Sequence, residues 1–147
     1  MKHTLYFAYG SNMDPRQMRR RCPSAKPLGP AALPGWRLAF GGHSSTWGGP
    51  VATVVRDAEV WVDGVLYRLP FDDLTELDRY EGHPHVYRRI RLLVEGDQGQ
   101  PHRAHVYVLA VDEEEAPASE YLKVLRRAYR RLGFDPGRLL ATTGDVR

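Results

Sequence analysis

The sequence predicts an α+β fold with a largely antiparallel or mixed sheet. Two observations predict it: strand-like segments outnumber helical ones, and they often follow one another with no helix between them. About six or seven strands are expected, enough for a small barrel, although periodicity does not reveal whether a sheet closes. At 147 residues the chain is expected to form one domain, 1–147, which buries roughly two thirds of its unfolded surface.

Taken in order, residues 4–9 read as a buried strand because they are almost wholly apolar. Residues 14–21 read as a short helix, with Asp14 as its cap and Pro15 at its first position. From 23 to 49, Pro27, Pro30, Pro34 and several glycines predict a loop-rich stretch with edge-type strands, one of them clear at 36–40. Trp36, Phe40 and Trp47 make that stretch too apolar for a linker. Residues 51–55 and 59–69 read as strands, the second interrupted at Asp63-Gly64 as by a hairpin or bulge. A helix is expected over 71–80, capped by Asp72 or Asp73, with Leu74 and Leu77 facing inward. Two further strands, 87–94 and 104–111, are joined across Glu95-Gly96-Asp97-Gln98-Gly99, a hairpin signal. Residues 119–132 form an amphipathic helix with Leu122, Leu125, Tyr129 and Leu132 in one stripe, Tyr121 and Ala128 beside it, and arginines opposite. Gly133 ends it, and a short last helix follows Asp135-Pro136.

The composition, 42% hydrophobic and 27% charged, is that of a soluble globular protein. No apolar run approaches the ~20 residues of a membrane span. Residues 4–8 are too short for a signal-peptide core, so a cytoplasmic protein with no membrane partner is expected. A single cysteine, Cys22, excludes an internal disulfide and fits a reducing compartment. Arginines near Cys22 would lower its pKa, yet a lone cysteine is more often incidental than catalytic. The net charge of +3 comes largely from Arg16, Arg19, Arg20 and Arg21 and from Arg126, Arg127, Arg130 and Arg131. Both groups fall on helices and read as solvated faces, so no nucleic-acid partner is expected.

The most informative segment is Tyr6-Phe7-Ala8-Tyr9-Gly10-Ser11-Asn12-Met13, where an apolar strand meets a polar turn and a helix start. Such a junction gathers uncapped backbone N–H groups and favours a carboxylate or phosphate. Gly10 allows close approach, and Ser11 and Asn12 add side-chain hydrogen bonds. Glu81 falls four residues after Leu77, on the apolar stripe of its helix. A carboxylate held there has its pKa raised, which suits proton transfer near neutrality. The competing reading turns its carboxylate out to solvent at the helix end. Ser11 as a nucleophile lacks the second glycine of G-x-S-x-G and an identifiable partner histidine. His83, His85, His102 and His105 show no metal-ligand spacing, and no metal site is expected. The glycine pairs Gly41-Gly42 and Gly48-Gly49 match no nucleotide-binding loop. Tyr87, Tyr107 and Tyr121 can each be plain core or can offer a phenol to a ligand.

Tyr6-Phe7-Ala8-Tyr9-Gly10-Ser11-Asn12, Thr46-Trp47-Gly48-Gly49 with Ala52-Thr53, Leu77-Asp78 followed by Glu81-Gly82, Tyr87, and Ser119-Glu120-Tyr121 together resemble the γ-glutamylcyclotransferase family. Asn12 after Gly-Ser resembles the γ-glutamylcyclotransferase branch and its γ-glutamylamine relatives, whereas the glutathione-specific ChaC branch typically has Leu there. The resemblance implies a small mixed β-barrel flanked by helices. It implies a substrate-binding loop over Ala8, Tyr9, Gly10, Ser11 and Asn12, with Glu81 as acid/base, Tyr121 beside the ligand and Tyr87 and Tyr107 lining the cavity. The implied reaction is attack of a substrate's own α-amine on its γ-glutamyl carbonyl, giving 5-oxoproline and a free amine or amino acid. That needs no cofactor and no enzyme nucleophile, only folding of the substrate and management of protons. Alternatives within the resemblance are γ-glutamylamines, a γ-glutamylated biosynthetic intermediate, or a non-catalytic γ-glutamyl-binding module. A monomer or homodimer with a small γ-glutamyl molecule as partner is the expectation.

Overall fold

The computed structural model describes residues 2–143. Along the chain it runs β1 (His3–Ala8), a 3-10 turn (Ser11–Met13), α1 (Pro15–Arg21), β2 (Lys26–Ser44), β3 (Gly49–Pro70), α2 (Asp73–Glu81), β4 (Tyr87–Gly96), β5 (Pro101–Leu109), α3 (Ser119–Leu132) and α4 (Pro136–Thr143). The strands close into a barrel in the order β1-β3-β2-β4-β5, flanked by the helices. Neighbours are antiparallel except β1 and β5, which meet in parallel where Tyr6 pairs with His105.

Five strands stand in place of six or seven because the expected strands 51–55 and 59–69 run on as one, β3, with no break at Asp63-Gly64. Over 23–49 the expectation of a loop-rich stretch fails: β2 is continuous for 19 residues. Its register with β3 shifts between Pro27 and Gly29, between Pro34 and Trp36 and between Gly41 and Ser44, so the prolines and glycines make bulges rather than ends. Gly35, at φ 82, takes the left-handed backbone that one of these bulges uses. The far edge of β2 pairs with β4 only at Ala31 and Ala32, and proline is tolerated where an edge has no ladder partner.

The expected break at Asp63-Gly64 is likewise absent, since β3 runs unbroken for 22 residues and Asp63 and Gly64 pair in register with Ala32 and Ala31. Gly64 is there for space. A Cβ on it would lie 2.6 Å from the Phe7 ring and would strike the Ala8 carbonyl oxygen, so β1 packs directly on its backbone. One core fills the barrel and extends beneath the helices, with Phe7, Leu33 and Leu69 from strands, Leu74 and Leu77 from α2 and Leu125 from α3.

The helices begin and end much as their caps predict. The Asp14 carboxylate accepts the Arg16 amide at the start of α1. Asp72 stands at the head of α2 without a side-chain capping bond. At the other end of α2, Gly82 turns left-handed with φ 71, which leaves Glu81 in the last turn of the helix.

Candidate active site

Where β1 runs out, the chain passes through Tyr9 and Gly10 into the short turn, and this corner forms one wall of a cavity of about 290 Å³. The end of α2, the β2–β3 turn, the start of β4, the end of β5 and the start of α3 supply the rest. Met13 donates its amide to the Gly10 carbonyl, and Tyr67 donates its hydroxyl to the Asn12 carbonyl at 2.9 Å, which fix the turn. Tyr121 explains Gly10, because a Cβ on residue 10 would lie 2.6 Å from the Tyr121 hydroxyl oxygen.

The side chain of Glu81 is 17% exposed and lines this cavity, so the helix-end alternative with its carboxylate in solvent is set aside. Burial raises its pKa from 4.5 to about 7, against the opposing pull of Arg21. Asn12 Nδ2 reaches Glu81 Oε1 at 3.5 Å, and Arg21 Nη1 lies 4.0 Å from the same oxygen. A carboxyl group poised in this way can take a proton and return it near neutral pH.

Tyr9, Tyr87, Tyr107 and Tyr121 are among the tyrosines that wall the cavity, and burial pushes the pKa values of these four upward, which keeps them neutral. Tyr9 donates its hydroxyl to the Tyr107 carbonyl, Tyr87 donates to the Ala52 carbonyl, and Tyr107 donates to Asp78 Oδ1 at 2.7 Å. Tyr121 differs: its oxygen accepts the Ala52 amide at 3.2 Å, and among the described residues its own O–H has no protein acceptor. Trp47 from the β2–β3 turn packs edge-on against Tyr121 at 5.3 Å.

Of the residues singled out in the sequence, Tyr9, Gly10, Ser11, Asn12, Glu81, Tyr87, Tyr107 and Tyr121 come together around this one cavity. Ala8 does not: it is buried in the core, with its carbonyl against Gly64. Ser11 Oγ accepts from Gln17 Nε2 at 2.7 Å, a partner that cannot take a proton and so cannot activate a nucleophile. His105 lies against Arg89, with its Nδ1 2.8 Å from Arg89 Nη1, and burial with that neighbour lowers its pKa to about 4. Among the described residues no group of three or more His, Cys, Asp and Glu side chains could hold a metal ion. The Cys22 thiol is pushed up to about 12 by burial and by Asp73 and Glu76, the reverse of what its arginine neighbours suggest.

Several residues at the site escaped the sequence reading. Arg21 belongs to a run read as a solvated face, yet its side chain is 17% exposed and turned toward Asn12 and Glu81. Arg131 from the second run donates to the Met13 carbonyl at 2.7 Å. Gln17 lies four residues before Arg21 on α1, and that spacing on a helix beginning at the loop was the available signal. Tyr6 and the turn from His43 to Trp47 also line the cavity.

Residues 6–125 match the family model described as gamma-glutamyl cyclotransferase, AIG2-like. The gamma-glutamylcyclotransferases of Bos taurus and Homo sapiens are 34% and 33% identical to the chain over 128 residues, 82% of this chain and 67% of each relative. A solved gamma-glutamyl cyclotransferase superposes with a TM-score of 0.84 at 29% identity, covering 90% of this chain and 81% of that one. A yeast gamma-glutamyl cyclotransferase specific to glutathione superposes at 0.64 with 15% identity, over 100% of this chain and 98% of that one, a likeness of fold alone.

Proposed function

The chain belongs to the gamma-glutamyl cyclotransferase, AIG2-like family, and from that membership we propose that it cyclises a small γ-glutamyl compound to 5-oxoproline with Glu81 as acid/base. The observation that carries the reading is the placement of one carboxyl group, its pKa near 7, in a tyrosine-walled cavity opposite the Tyr9–Asn12 turn.

The substrate's α-amine nitrogen bonds to its own γ-carbonyl carbon, closing a five-membered ring, and the C–N bond to the leaving amine breaks. Glu81 accepts the proton that the attacking nitrogen loses and delivers it to the departing nitrogen, so it ends as it began. Because the attack is intramolecular, holding the chain in a folded shape supplies much of the acceleration. The turn from Tyr9 to Asn12 holds the γ-glutamyl end. Tyr121, whose oxygen accepts the Ala52 amide, donates its O–H to the carbonyl oxygen as negative charge gathers on it. Tyr9, Tyr87 and Tyr107 spend their protons on protein acceptors, so they serve as walls that exclude water.

The test is release of 5-oxoproline from a γ-glutamyl dipeptide. Glu81→Gln is expected to lower kcat by about 10²–10⁴-fold with the fold intact, the usual range for removing a proton-transfer group. A folded variant that turns over at the wild-type rate assigns the proton transfer elsewhere.

A further inference from the structure

We propose that Gln17 and Arg21, one turn apart on α1, are positioning residues that lock the Asn12 side-chain amide with its N–H₂ group aimed at Glu81. This rests on the reading of Glu81 as the proton-transfer group and names what steers it.

The chemistry of the donors fixes the orientation. A guanidinium has only N–H groups to offer, so the Asn12 atom 3.1 Å from Arg21 Nη1 must be the oxygen. Gln17 Nε2 donates to that same Oδ1 at 2.9 Å while also donating to Ser11 Oγ at 2.7 Å. With its oxygen held by two donors, Asn12 turns its nitrogen the other way. Nδ2 donates to the Tyr6 hydroxyl at 2.9 Å and reaches Glu81 Oε1 at 3.5 Å.

Asn12 and Gln17 are both buried, so the flipped amide would set N–H₂ against two donors where water cannot relieve the conflict. Glu81 therefore faces a donor in place of an acceptor, and its ionised form is supported. The groups that bear on Glu81 from outside its helix are Tyr6 of β1, Tyr9 just beyond it, Arg21 of α1, Tyr87 of β4, Tyr107 of β5 and Tyr121 of α3. Of these, Arg21 carries the charge at neutral pH and acts on Glu81 both directly and through Asn12. Gln17 is neutral, and its bonds go to Asn12 and Ser11, so an effect of Gln17 on Glu81 must pass through the loop.

The experiment is a pH titration of the intact protein by NMR, following the Glu81 side-chain carboxyl carbon and the Asn12 side-chain amide, with 5-oxoproline release measured alongside. In wild type the Asn12 amide is expected to titrate with the Glu81 midpoint. In Gln17→Met, which keeps the volume and removes the donor, that shared titration weakens and the Glu81 midpoint rises by about 0.5 pH or more. The acid limb of kcat/KM moves the same way. Gln17→Leu, which is also neutral and cannot donate to Asn12, serves if the methionine variant fails to fold. An Asn12 amide blind to Glu81 in wild type, or a folded Gln17 variant with an unmoved midpoint, overturns the proposal. Absence of 5-oxoproline from wild type overturns the cyclotransferase reading instead, and the titration still decides the positioning role.

Discussion

Glu81 is a carboxyl group that this fold holds at a cost. Between 4.5 and its folded pKa of about 7 the folded chain keeps a proton that the unfolded chain has lost, so stability declines as pH rises through that window. Glu81→Gln removes the penalty: at pH 8 the variant is expected to be more stable than wild type by up to about 3 kcal/mol, and the gain shrinks toward zero below about pH 4.5. Denaturant titrations at pH 8 and pH 5 check this, and an equal gain at both would mean that the carboxylate is not the cause. The same substitution is therefore expected to trade activity for stability. Glu81 was legible because a helical period places it over Leu77, and a carboxylate on an apolar stripe is conspicuous. Arg21 was not. The run of arginines by itself does not say which one turns inward; the signal was the four-residue spacing from Gln17, and the partner that draws Arg21 in, the Asn12 oxygen, lies nine residues back in the turn before α1.

At the scale of elements, helices were easier to read than strands. The 119–132 helix begins and ends where its stripe and Gly133 place it, because a helix closes its hydrogen bonds within its own segment. Strands β2 and β3 depend on partners far along the chain, and local turn chemistry cannot show that a Pro-Gly step will be carried as a bulge. Gly64 shows the difference. It reads as a turn glycine, whereas the structure needs it so that β1 can lie on its backbone. Gly64→Ala is therefore expected to cost about 1–3 kcal/mol, in the range of overpacked buried sites. Chemical denaturation measures this, and a loss within 0.5 kcal/mol, the ordinary surface value, would show that β1 yields easily. The same logic makes α2 a supported element: Asp78 accepts Arg89 Nε at 2.8 Å and the Tyr107 hydroxyl at 2.7 Å, which ties the helix bearing Glu81 to both strands of the β4–β5 hairpin.

At the scale of the whole molecule, the α+β class followed from the count and succession of strands, while closure came only from the family resemblance. The seam that closes the barrel joins Tyr6 to His105, and no local pattern encodes a pairing across so much chain. A barrel closed in this way is expected to unfold in one cooperative step, with tryptophan fluorescence from Trp36, Trp47 and Trp61 and far-ultraviolet circular dichroism giving coincident transitions. Separated transitions would mean that part of the barrel melts independently. The cavity has the same long reach, drawing on the turn at Asn12 and on Tyr121 far downstream. On a ribosome adding about 5–20 residues per second, the loop emerges several seconds or more before Tyr121 exists to meet it. An interrupted nascent chain carries a loop without its opposite wall, so premature termination before α3 is expected to release a polypeptide whose cavity is open on the Tyr121 side.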